Sequence, residues 1–135
     1  MDSEARTFPP HPIRGVRAVY ARQSSCPSDF AEVVVDFVPW EAGIVFQVAA
    51  DLASHGSTDP EELSAYRIAL ETGIREELAE LGVGLPAAVA VVLRSVRVHE
   101  VDSRPRAFEA AGHVAVRNAL AEVYGPSPRP RRRRA

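Results

Sequence analysis

The segment from Asp59 to Leu81 constrains the fold more than any other part of the chain. Asp59 is an N-cap acceptor, Pro60 suits the first helical position, and Glu61 and Glu62 sit where the helix dipole favours negative charge. Leu63, Tyr66, Leu70, Ile74, Leu78 and Leu81 then recur at intervals of three and four, the signature of a helix with one buried face. Gly82 and Gly84 supply the stop. Pro86 to Val98 follows, a run so rich in Val, Ala and Leu that it reads as a strand in the middle of a sheet. A one-sided helix leading into a doubly buried strand requires a sheet with helices packed on it.

The remaining elements fit that requirement. Ile13 to Gln23 alternates, with Val16, Ala18 and Tyr20 on one parity, and predicts a strand. After the polar turn of residues 24–29, Val33 to Val38 is a β-branched run ending before Pro39. Glu41, Ala42 and Gly43 turn the chain into a third strand, Ile44 to Ala49, and such short connections imply antiparallel neighbours. A second helix runs from about Ser103 to Tyr124, with Phe108, Ala111, Ala115, Ala119 and Val123 on one face and Ser103 placed to cap it. The order is βββαβα, an α+β two-layer sandwich. Residues 1–12 read as a poorly ordered leader, 13–124 as the domain, and 125–135 as a disordered Pro/Arg-rich tail.

Charge narrows the chemistry. All 16 basic residues are arginine, so the lysine of a phosphate-binding P-loop and the lysine of a Schiff base are both missing. Nucleotide binding through a P-loop and pyridoxal-phosphate catalysis are thereby excluded. Residues 1–125 carry 11 arginines against 18 acids, while Arg129, Arg131, Arg132, Arg133 and Arg134 crowd the end. An acidic body thus carries a basic tail, which suits RNA phosphates, anionic lipid, an acidic protein surface, or simple solubility. The longest apolar run, Leu85 to Leu93, has nine residues, about half of the ~18 that a membrane span needs. The first residues form no signal peptide, and the single cysteine, Cys26, allows no internal disulfide. A cytoplasmic protein is expected, and its Arg, Ala, Val and Gly bias resembles a high-GC bacterial genome.

Few side chains gather into chemistry. His99, Glu100, Asp102 and Ser103 share one loop, whereas a catalytic set needs a base and an orienting group from different elements. His99 and Asp102 supply two metal ligands where a closed site takes about four, and His11, His55 and His113 are scattered. No metal, cofactor or catalytic residue is expected. Glu76, Glu77 and Glu80 read as the solvated face of the first helix, and Trp40 as a packing anchor at a strand end.

Three stretches, in order, carry a family likeness. Ala21-Arg22-Gln23-Ser24 with Val33-Val34-Val35 is similar to (I/A)RQ(S/T)GGRGQ(Y/F)(G/A)xVxL, with an equal loop length. Gly73-Ile74-Arg75-Glu76 matches GIREA, and His99-Glu100-Val101-Asp102-Ser103 with Ala107-Phe108, Ala111-Gly112 and Arg117 matches HDVDSSxxAFxxAGxxAFRxA. These patterns belong to domain IV of the elongation factor G and elongation factor 2 family, which tetracycline ribosomal protection proteins share. The resemblance spans residues 20–123. It implies a fold like the second domain of ribosomal protein S5, with a left-handed crossover, standing here as a freestanding chain without the GTPase domain. It also implies a ribosome- or RNA-binding tip made of two loops at one end of the sheet. Arg22, Gln23 and Ser24 would belong to the first loop, and His99 and Asp102 to the second, with the tail arginines as a further RNA contact.

The first loop departs from the pattern. Ser25, Cys26, Ser28 and Ala31 replace the family's loop glycines, Pro27 replaces its arginine, and Asp29 replaces its glutamine. Glycine permits close backbone approach to RNA and arginine pairs with phosphate. Their loss leaves open a second reading, a protein-interaction module that self-associates or holds a protein partner without binding ribosomes.

Overall fold

In the computed structural model, which describes residues 7–22, 29–56, 59–80, 86–99 and 103–125, the elements follow the expected order. They are β1 (Ile13–Arg22), β2 (Asp29–Pro39), β3 (Gly43–His55), α1 (Pro60–Ala79), β4 (Ala88–Arg97) and α2 (Pro105–Tyr124). One four-stranded sheet runs β1-β2-β4-β3, with β2 antiparallel to β1 and to β4, and β3 parallel to β4. The apolar run read as a central strand is indeed enclosed on both edges, and Val89, Val91, Leu93 and Val96 are buried.

The position of β4 corrects the pairing expected from the short turn after β2. β2 and β3 are not neighbours, because β4 lies between them. The connecting residues pass the start of β4, where the Trp40 N–H donates to the Ala88 carbonyl at 2.9 Å. Burying the most apolar strand on both edges outweighs the local preference for a hairpin. β3 is also longer than its β-branched run suggests. Between the Val48↔Leu93 and Ala53↔Ser95 pairs the register slips, so that β3 bulges before pairing resumes through His55. Trp40 is 43% exposed and so is not the packing anchor expected of it.

Both helices cover one face of the sheet. α2 lies over β1 and β2, and α1 packs along α2. Ala31, Val33, Val35 and Phe37 of β2 point into this layer with no exposed surface. They meet Tyr66, Leu70, Ile74 and Leu78 of α1 and Phe108, Ala111, Ala115 and Ala119 of α2. The described residues of both helical stripes therefore lie in the core or pack against it, and Leu81 lies outside the described residues. Tyr66 and Phe108 stack at 4.5 Å between ring centres, joining the two helices. An apolar cavity of about 180 Å³ remains between α1 and the β3–β4 edge, lined by Val48, Leu52, Leu63, Leu70, Leu93 and Phe108.

The core also begins earlier than residue 13. Phe8, assigned to a loose leader on its proline-rich surroundings, is fully buried and meets Phe37 edge-on at 5.7 Å. Its N–H donates to the Pro86 carbonyl, and its own carbonyl accepts from the Ala88 N–H, each at 2.9 Å. Three prolines limit regular structure without preventing one aromatic ring from filling the core.

Two glycines set the distance between the helices. A Cβ on Gly73 would overlap the Glu109 carbonyl oxygen, and one on Gly112 would stand 2.5 Å from the Leu70 carbonyl oxygen. Backbone therefore meets backbone where α1 and α2 cross. Side chains one turn further along are brought face to face.

Candidate functional site at the tip of the sheet

Strand direction decides which residues meet at this end. β1 finishes at Arg22, opposite Asp29 at the start of β2. β4 finishes at Arg97, opposite Glu32 on one side and His55 on the other. The loops after Arg22 and after Arg97 consequently leave the same end of the sheet, as their sequence positions imply. Of the five loop residues singled out, Arg22 and His99 are described, and both are exposed. Gln23, Ser24 and Asp102 lie outside the described residues, as do Arg129, Arg131, Arg132, Arg133 and Arg134 of the tail and the stop glycines Gly82 and Gly84.

His99 is held by a small network. Its ring stacks on Phe30, with 3.6 Å between centres and 5° between planes. Its N–H donates to Ser103 Oγ at 2.9 Å, and its carbonyl accepts from the Ser103 N–H at 2.8 Å. The Ser103 hydroxyl in turn donates to the Phe30 carbonyl at 2.8 Å, which ties the His99 loop to β2. This use of Ser103 corrects its expected role. The N-cap of α2 is Arg104, without a side-chain capping bond, because the Ser103 hydroxyl is engaged by the loop and by β2. Tyr66 reaches the same place, its hydroxyl 3.2 Å from the Ser103 carbonyl and 3.3 Å from Glu62 Oε2. Burial and the neighbouring Glu62 carboxylate hold the Tyr66 phenol above its ordinary pKa, against the Arg104 charge.

Asp29 is the residue here that sequence reasoning missed. It entered only as a departure from the glutamine of the family pattern, yet its side chain is 5% exposed and lies between two arginines. Arg106 donates from Nε at 3.1 Å and from the terminal nitrogen at 3.3 Å, a forked contact, and Arg104 Nε stands 3.3 Å away. The start of α2 is thereby pinned to the start of β2. A carboxylate 75 residues before its partner leaves no local signature, although an aspartate opening a β-branched run is unusual enough to mark the position.

The other charged cluster lies away from the tip, along the seam between the helices. Glu77, expected on a solvated face, is instead largely covered by α2 and receives His113 Nδ1 at 2.7 Å and Arg117 Nε at 3.2 Å. His113 Nε2 meets Glu76 Oε1 at 2.9 Å. Burial pushes the Glu77 carboxyl up, but hydrogen bonds from His113 and Arg117 overcome it and hold the group below its ordinary value. For His113, burial pushes the pKa down, and the bonds to Glu77 and Glu76 overcome that and raise it. On the open face of the sheet, Asp36 is buried, accepts from the Gly15 N–H at 2.8 Å, and lies 3.5 Å from Arg14 and 3.8 Å from Arg94.

Relatives fit this architecture. Elongation factor G 2 of Streptomyces coelicolor is 33% identical over 112 residues, covering 75% of the chain and 15% of that factor. Elongation factor G of Dehalococcoides mccartyi is 31% identical over 107 residues, covering 77% of the chain and 15% of the factor. The chain is elongation factor G domain IV-like. A crystal structure of a Thermus thermophilus protein has the same fold, with a TM-score of 0.63 and 25% identity over 84% of this chain and 16% of that one. No protein-family model matches the chain. This elongation factor G-like chain spans about 15% of the length of the factors it matches. No described helix is long and apolar enough to cross a membrane.

Proposed function

We propose that this elongation factor G domain IV-like chain is a non-enzymatic, translation-related cytoplasmic protein that binds the ribosome or its RNA through the tip of the sheet. The observation that carries the reading is the arrangement of His99. Its ring is exposed and pre-stacked on Phe30, and its loop is bonded to β2 through Ser103. An aromatic face fixed in advance loses little freedom when it meets a base or sugar. Arg22, exposed at the end of β1 and so at the same end of the sheet, supplies a planar cation for phosphate. Gln23, Ser24 and Asp102 would complete the two loops, and the five tail arginines would add a salt-sensitive contact with up to about five released counterions.

The test is co-sedimentation with bacterial ribosomes at low and moderate salt, using the whole chain, a chain ending at Gly125, and Arg22→Ala. The whole chain should pellet with ribosomes. Truncation should weaken pelleting most at low salt, and Arg22→Ala should weaken it further. A chain that stays in the supernatant at low salt, yet forms a discrete oligomer or captures a protein without RNA, would favour the protein-interaction module instead.

A further inference from the structure

We propose that Glu76, Glu109 and His113 form a binding site for a divalent first-row transition ion, zinc foremost, bridging α1 and α2. One donor atom from each lies within 4.8 Å of the other two. Glu109 and His113 are four residues apart and so share one face of α2, while Glu76 comes from the facing turn of α1. The close crossing at Gly73 and Gly112 fixes the separation of these two rigid supports.

Histidine orientation is what distinguishes this set from a chance group of surface acids. His113 Nδ1 is 2.7 Å from Glu77, which is itself held by Arg117, and this leaves Nε2 directed toward Glu76. A carboxylate on one ring nitrogen with the other nitrogen turned to the ion is the usual way of orienting a metal-binding histidine. Glu109 makes no hydrogen bond or ion pair among the described residues and so has a carboxylate to contribute. Zinc bonds of about 2.0–2.2 Å to nitrogen and carboxylate oxygen place tetrahedral donors roughly 3.3–3.5 Å apart. The 2.9 Å contact between His113 and Glu76 need therefore open by only a few tenths of an ångström. One nitrogen and two oxygens suit zinc better than calcium or magnesium, which take oxygen throughout. Glu76 is 51% exposed, so solvent can reach the fourth position.

The site is independent of the tip. Glu109 and His113 fall at unspecified positions of the HDVDSSxxAFxxAGxxAFRxA pattern, and Glu77 replaces the alanine of GIREA. Neither the family likeness nor ribosome binding therefore predicts it. Calorimetric titration of the tag-free whole chain with zinc chloride, after chelator treatment, provides the test. One equivalent should bind, and the melting temperature should rise with zinc. Glu109→Gln and His113→Asn should each weaken binding by at least about tenfold. Because Glu109 has no partner among the described residues, Glu109→Gln should keep the wild-type melting temperature in chelator, separating a lost ligand from a damaged fold. Three results would overturn the site: no binding up to millimolar zinc, wild-type affinity in both variants, or magnesium binding as tightly as zinc. Wild-type affinity in the variants would place the ion on other residues, such as His11, His55, His99 or Cys26.

Discussion

The tip and the helix seam both set charged side chains against α2, but they use charge in opposite ways. At the tip, charge is spent inside. Asp29 is buried and clasped by Arg104 and Arg106, and that clasp leaves His99 and Arg22 facing outward. Along the seam, Glu77, His113 and Arg117 face one another across the two helices. The first arrangement leaves an exposed surface beside a buried clasp, whereas the second joins the two helices. A count of charges would rank the regions alike. What separates them is which groups remain exposed after the internal contacts are made.

Substitutions that load one region and spare the other should sharpen this contrast. The largest effect is expected at the seam. Gly73→Ala puts a methyl group into the Glu109 carbonyl, and forcing the helices apart should cost about 3 kcal/mol in urea denaturation. A loss below about 0.5 kcal/mol would mean that the helices do not cross there. At the tip, Asp29→Ala removes the clasp, but Arg104 and Arg106 can return to water. A loss of about 2 kcal/mol is expected, with faster amide exchange at residues 29–31 and 103–107. Exchange unchanged at those amides would break the claim that Asp29 fixes the tip.

A smaller effect should follow pH at the seam in metal-free protein. His113, facing Glu76 and Glu77 of α1 beside Glu109 and Arg117 of α2, has a raised pKa. Its contribution is complete below its unfolded value and is lost as pH rises through the folded one. Glu77 has a lowered pKa, so its contribution is present above the unfolded value and is lost as pH falls through the folded one. The bracket should therefore contribute most between the ordinary carboxylate and imidazole ranges, by roughly 1 kcal/mol. Glu77→Gln should flatten that maximum, and an unchanged profile would show that the bracket contributes nothing. The smallest change in stability is expected for His99→Ala, within about 0.5 kcal/mol, because the ring is exposed.

Much of the fold can be read along the chain because its signals are local. The stripe from Leu63 to Leu78, the β-branched run from Val33 to Val38 and the apolar run from Ala88 to Leu93 each sit within one element. The order of strands cannot be read this way, since a three-residue connection after Pro39 looks like a hairpin until β4 takes the place between β2 and β3. Phe8 is hidden for a related reason: prolines mark irregular chain, and burial of one side chain needs no regular element. The proposed site divides along the same line. His99 and Arg22 could be found from a motif, and their shared end follows from strand direction. Asp29 with Arg104 and Arg106, and Glu77 with His113, are pairs about 75 and 36 residues apart. Their charges have ordinary surface explanations until the fold brings them together.

The central claim is that the tip is an outward-facing binding surface whose integrity does not depend on His99. Ribosome co-sedimentation of His99→Ala beside the unaltered chain, at low salt and with both proteins folded by circular dichroism, tests this most directly. His99→Ala should keep the wild-type melting temperature and lose at least about tenfold in ribosome affinity. Equal pelleting of the two proteins, or no pelleting of either, would contradict the claim.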